Sequence, residues 1–300
     1  MRPSASGASE LTEAIVHLQP SVYAMKSRPV LLSGVVQPSR RTTLQALVLG
    51  AGWLTSPILR AAPTRSVRVA AASDLKFALA RLLANFQKAT GILVEVNFGA
   101  SGNLARQIRQ GLPIDLFMSA DEAWVEQLVV AGLSRRLPNG THDRGALYAQ
   151  GRIALFLPKN SAIQPDEQLA GLRTSWRLVE KFAIANPEHA PYGRAAREAL
   201  QRLGLWEMVR PKLVLGENIA QTTQFVATGA AQAGITALSL ALAPEVAQFG
   251  KHGVLPAELH APLRQRMVLL GQASPQAQRL YDYLLSPDAR ELLHFYGFDN

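Results

Sequence analysis

Past residue 65 the apolar positions switch repeatedly between two periods. Residues 68–72 form an unbroken run of small apolar side chains after one arginine, the pattern of a strand covered on both faces. Residues 75–89 place Leu79, Leu82, Leu83 and Phe86 on one helical stripe that stops at Gly91. Residues 92–98 send Ile92, Val94, Val96 and Phe98 to one side, as a strand does. A short helix over 103–110, a strand over 114–119 and a helix over 121–131, stopped at Gly132, complete the first run. Strand and helix in regular alternation predict a mostly parallel sheet with helices on both faces.

The alternation resumes near residue 149. Strands are predicted over 151–157, 182–185, 213–215 and 233–237, with helices over 194–203 and 220–228. The remaining segment, an apolar stretch at 264–270 and helices near 275–285 and 287–295, is too short for a third domain and is expected to return to the first. The predicted class is therefore α/β with two lobes, each a mostly parallel sheet flanked by helices. The first lobe comprises 63–148 plus 240–300 and the second 149–239. Two or three crossovers between lobes leave a cleft at the carboxyl ends of both sets of strands, where open α/β sheets bind small ligands.

Residues 1–62 read differently. Ser39-Arg40-Arg41 precedes a short apolar run, 46–54, and then small residues at Ala61 and Ala62, the order of an export signal. The arginine pair resembles a twin-arginine signal, with Thr43 where an apolar residue is usual, and Met25 is an alternative start. The apolar run is short for a membrane span. This N-terminal extension supplies +4 of the formal charge of +9, so the remaining chain carries only +5. The basic balance is then largely a targeting feature and gives little support to nucleic-acid binding. With no cysteine, disulfides, thiolate metal sites and cysteine nucleophiles are excluded. The six histidines are scattered without metal-ligand spacing, so no metal held directly by side chains is expected.

The candidate chemistry sits at two strand-to-helix turns, Ala72-Ser73-Asp74-Leu75 and Gly99-Ala100-Ser101-Gly102-Asn103. Each places a hydroxyl where a helix begins, beside free backbone N–H groups and the positive end of the helix dipole. Brought to one sheet edge, the two turns would cradle a small anion without lysine or arginine. Ser73 also has an ordinary reading as an N-cap, and Asp74 as a first-turn acid. Ser73 as a nucleophile would need an adjacent base, and the sequence offers only Asp74.

These turns, together with Pro113-Ile114-Asp115-Leu116-Phe117, Asn186-Pro187-Glu188-His189-Ala190-Pro191-Tyr192-Gly193, Gly216-Glu217-Asn218-Ile219 and Tyr296-Gly297-Phe298, resemble the periplasmic molybdate-binding proteins of ABC importers, in collinear order over about residues 66–300. The resemblance implies a type II periplasmic binding protein fold that closes over molybdate or tungstate. It implies ligand contacts from Ser73, Ser101, Tyr192 and the backbone of Ile219, with molybdenum held only as its oxyanion. It also implies no enzyme activity, no cofactor, a monomer, an inner-membrane ABC permease as partner and a periplasmic location. One departure is plain: a tyrosine that some members place late in the second lobe falls here on Ala237. Phosphate or sulfate as the ligand, a serine-dependent hydrolase and a sensory domain on the same fold remain as alternatives.

Overall fold

The computed structural model describes residues 66–299, so the export signal expected within 1–62 lies outside the described residues. The chain first builds β1 (Val67–Ala72), α1 (Lys76–Thr90), β2 (Val94–Gly99), α2 (Ser101–Arg109), β3 (Leu116–Ser119), α3 (Glu122–Val130) and β4 (Ala146–Gly151). It continues through β5 (Ile153–Pro158), α4 (Ala170–Thr174), β6 (Phe182–Ala185), α5 (Pro191–Arg202), α6 (Trp206–Val209), β7 (Leu213–Gly216), α7 (Ile219–Ala227) and β8 (Ala233–Ala237). The last elements are α8 (Leu238–Ala241), α9 (Pro244–Ala247), β9 (Gly250–Val254), β10 (Leu263–Leu269), α10 (Pro275–Leu284) and α11 (Pro287–Phe295).

The strands form two five-stranded sheets, ordered β2-β1-β3-β10-β4 and β7-β6-β8-β5-β9. Within the first, β1 runs parallel to β2 and β3, while β10 runs antiparallel to β3 and β4. The second repeats the plan: β6 is parallel to β7 and β8, and β5 is antiparallel to β8 and β9. Each sheet is thus mostly parallel, as the alternation predicts, with four strands running one way and one reversed. In each sheet the one reversed strand, β10 or β5, is the strand that enters from the other lobe.

Strand pairing also moves the lobe boundaries expected from the sequence. The predicted strand at 151–157 is the second of two strands separated by Arg152 alone, with β4 in the first sheet and β5 in the second. One residue therefore makes the first crossover, and residues 255–262 make the return. By pairing, β9 belongs to the second sheet, although 240–300 was expected to sit wholly in the first lobe. Its sequence, Gly-Lys-His-Gly-Val, has no apolar alternation, and all five residues are half-buried at the sheet edge, where one side needs no partner. Arg152 joins both crossovers by an ion pair to Asp299 (3.3 Å) and a hydrogen bond to the Leu255 carbonyl (3.3 Å).

The period-two pattern of β1 explains how the first lobe is layered. Val67, Val69 and Ala71 face one way, onto Leu79, Leu82 and Phe86 of α1 and onto α10 and α11. Ala70 faces the other way, with Leu104 and Ile108 of α2 and Val125 and Leu128 of α3. With both faces covered, β1 is held rigidly and its carboxyl end is a fixed platform for Ser73. In the second lobe Ile184 of β6 and Ile153, Leu155 and Leu157 of β5 pack with Ala195, Ala196, Ala199 and Leu200 of α5.

Candidate functional site

Four helices begin at one place. β1 leads through a single 3-10 turn, Ser73–Leu75, directly into α1, and β2 leads into α2 at Ser101. In the other lobe β6 leads through Asn186–Ala190 to α5, and β7 leads through Glu217 and Asn218 to α7. The first residues of these runs line one small cleft between the lobes, among them Ser73, Ser101, Tyr192 and Ile219. The four residues that the resemblance singled out are thus adjacent in space. None of the lining residues is lysine, arginine or histidine. The positive potential there comes from backbone N–H groups and helix dipoles, each worth about half an elementary charge at a helix start.

The serine hydroxyls are oriented by bonds they accept. Ser101 is buried, and its Oγ accepts the Ala120 N–H at 3.0 Å. The Oγ of Ser73 accepts the Ala220 N–H of α7 at 3.4 Å, which reaches across the cleft. In neither case does the hydroxyl proton have an acceptor among the described residues, so each serine keeps one donor free. Among the described residues no base is bonded to Ser73. Ile219 is the first residue of α7, whose N-cap Asn218 accepts the Gln221 N–H at 3.1 Å. Asn218 thus caps α7 with its side chain.

Tyr192 lines the cleft, but its hydroxyl is engaged: it donates to Asp74 Oδ2 at 3.0 Å and accepts from Gln265 Nε2 at 3.1 Å. Asp74 departs from the first-turn acid reading. It is 1 % exposed, and Oδ2 also accepts from Gln265 Nε2 at 2.6 Å, while Oδ1 has no partner. Gln265 is held in turn by Tyr148, whose hydroxyl donates to Gln265 Oε1 at 2.8 Å. Burial pushes the Asp74 carboxyl up to about 6 from its free value of 3.8, against smaller lowering effects of Gln265, Tyr192 and the nearby N–H groups of Asp74 and Leu75. The phenols of Tyr148 and Tyr192 are raised well above 10, by burial first and then by Asp74. Neither Gln265 nor Tyr148 carries a sequence signal for this role. Both lie in ordinary strands, and only the pairing of β10 with β4 brings them under Asp74. Ala237, where some similar proteins have a tyrosine, is buried at the end of β8.

The lobes are closed over this cleft. Besides the Ser73 and Asp74 contacts, the Gly102 N–H donates to the His189 carbonyl at 3.0 Å, and Asn103 Nδ2 to Glu217 Oε1 at 3.4 Å. Arg194 of α5 forms an ion pair with Asp121, the N-cap of α3. Ser239 Oγ donates to the Asp74 carbonyl at 2.9 Å.

Comparison with known proteins agrees with this geometry. The sequence profile of a family described as bacterial extracellular solute-binding protein matches residues 67–299. The molybdate-binding protein ModA of Azotobacter vinelandii is 37% identical over 255 residues, covering 84% of this chain and 95% of that protein. ModA of Rhodobacter capsulatus is 36% identical over 215 residues, covering 71% and 80%. Among solved structures, the Azotobacter vinelandii periplasmic molybdate-binding protein superposes with a TM-score of 0.69 at 28% identity, covering 78% of this chain and 99% of that one.

Proposed function

We propose, from the premise that the chain belongs to the bacterial extracellular solute-binding protein family, that it captures molybdate outside the cytoplasm and delivers it to an ABC importer. The observation that carries this reading is the convergence of four helix starts and two free serine protons on one cleft that no cationic side chain lines. The names of the similar proteins, molybdate-binding proteins, supply the choice of anion. Tungstate has the same charge and shape and is expected to bind as well. Twin-arginine export, a periplasmic location and a monomeric state complete the proposal.

In this reading Ser73 and Ser101 donate their hydroxyl protons to the anion from the first lobe, while the backbone N–H groups at the starts of α5 and α7, at Tyr192 and Ile219, donate from the second. Because the donors lie in both lobes, they act together only when the cleft is shut, and the anion favours closure by that difference in affinity. The chain binds and releases, without catalysis. Calorimetric titration of the purified protein with molybdate, tungstate, sulfate and phosphate tests the proposal. Molybdate and tungstate are expected to bind far more tightly than the other two. Phosphate binding tightest would replace molybdate as the ligand, with the free Asp74 oxygen as acceptor for the hydrogen of a protonated phosphate.

Closure itself depends on Gly102. A Cβ at this position would lie 2.7 Å from the Trp124 ring and 2.8 Å from the His189 carbonyl of the opposite lobe, in the space across which the Gly102 N–H makes its bond. Gly102→Ala should therefore hold the lobes apart, weakening molybdate binding by tenfold or more, about 1.4 kcal/mol. Small-angle scattering of the molybdate-bound variant should show a larger radius of gyration than that of the parent. Equal affinity and compaction would mean that closure does not need this close approach.

A further inference from the structure

We propose that Asp74 contacts the oxyanion as a neutral carboxylic acid, so that capture of one dianion takes up one proton. This rests on the reading of the cleft as an oxyanion site and specifies its chemistry. Asp74 lines the cleft beside Ser73, and its two oxygens are used unequally: Oδ2 accepts both Tyr192 and Gln265, whereas Oδ1 is buried with no partner. That division suits the un-ionised group. The carbonyl oxygen accepts two hydrogen bonds, and the other oxygen, once protonated, becomes a donor that lacks an acceptor until an anion arrives. An ionised Asp74 would instead leave a buried, partly unpaired negative charge facing a dianion.

The side chains packed around the carboxyl offer no compensating charge, and the backbone N–H groups of Asp74 and Leu75 lower its pKa less than burial raises it. Tyr192 of α5 and Tyr148 of β4 are phenols held well above 10, hence neutral. Gln265 of β10 and Ser239 of α8 are uncharged, and the cleft lining contains no cationic side chain. With the lobes shut, burial already holds the acid at about 6, and solvent entering an open cleft lowers that value, so near neutral pH the acid is ionised before the anion binds. A bound dianion raises it further, because like charges disfavour ionisation. The proton comes from solvent, bonds to Oδ1 and is shared toward an anion oxygen. When the cleft opens and the anion leaves, the proton returns to solvent. Binding to the protonated form alone makes affinity flat below the pKa of the empty site and lowers it about tenfold per pH unit above it.

The test is titration of the full-length protein with sodium molybdate between about pH 6 and pH 9, repeated near pH 7.5 in buffers of different ionisation enthalpy. The expected result is an uptake close to one proton per anion and a Kd that rises about tenfold per pH unit. Asp74→Asn, which keeps an acceptor for Tyr192 and Gln265 and supplies a neutral donor at the other position, should lose both the uptake and the pH slope. At about pH 9 it should bind more tightly than the parent protein. Tight binding by the parent with no proton uptake and a flat Kd would overturn the inference, as would an unchanged slope in Asp74→Asn. Should that variant fail to fold, the parent's proton count and slope decide. Absence of molybdate binding by the parent at every pH would instead refute the proposed ligand.

Discussion

Replacing both Ser73 and Ser101 by alanine is expected to remove tight molybdate binding while the protein still folds. Each hydroxyl accepts a backbone N–H and keeps its proton free, so each replacement removes one donor to a charged ligand. Such bonds are worth about 1.5–3 kcal/mol each, a loss of roughly tenfold to more than a hundredfold per serine. The two losses are not strictly additive, because both donors meet one ligand. A combined loss of at least about 3 kcal/mol is still expected. The fold loses less. Alanine leaves the N–H groups of Ala120 and Ala220 without their present partners, at about 1 kcal/mol each. Calorimetry of the two single variants and the double variant, with circular dichroism to confirm folding, is the measurement. A double variant that binds like the parent would mean that the hydroxyls only position the turns and that backbone N–H groups bind the anion.

Asp74→Asn is expected to stabilise the ligand-free protein, and more so as pH rises. The carboxyl titrates at about 6 in the fold and at 3.8 when free. A group raised on folding contributes its stability in full below the free value and loses it as pH rises through the folded value. Between about pH 4 and pH 7 the unliganded parent should therefore lose about 2 kcal/mol through this one residue, while Asp74→Asn loses none of it. Urea unfolding of both proteins near pH 4.5 and pH 7.5, without molybdate, isolates the effect as the change in their difference. A difference that stays constant with pH would show that the Asp74 carboxyl is not raised by burial in the empty protein. Destabilisation of this kind is tolerable in a receptor, because ligand binding restores stability to the form that matters.

Much of the fold is legible in the sequence. The stripe of Leu79, Leu82 and Phe86 is buried in α1, and the helix ends at Gly91, which takes the left-handed conformation at φ 71°. Local periodicity suffices for such elements because one face is buried and the other is not. β9 was not legible, since its half-buried edge position imposes no period on Gly250–Val254. Nor was the break at Arg152, where two apolar strands lie end to end and only their partners separate them into two sheets. The mostly parallel sheets were legible from the strand-helix alternation, but which strand is reversed, β10 or β5, was not, because it depends on which strand enters from the other lobe.

The sequence by itself determined the alternating α/β class and the two hydroxyl-bearing helix starts at Ser73 and Ser101. These are local properties, written in spacing and in turn chemistry. The tertiary structure alone decided how those residues are used. It turned the Tyr192 hydroxyl onto Asp74, drew Gln265 and Tyr148 beneath them from two paired strands, and left one carboxyl oxygen without a partner. Those contacts join residues separated by up to 191 positions, and a carboxyl's environment is the sum of such distant neighbours. No local pattern encodes that sum, so the acid that looked like a first-turn residue became a buried group at the cleft only through those distant partners.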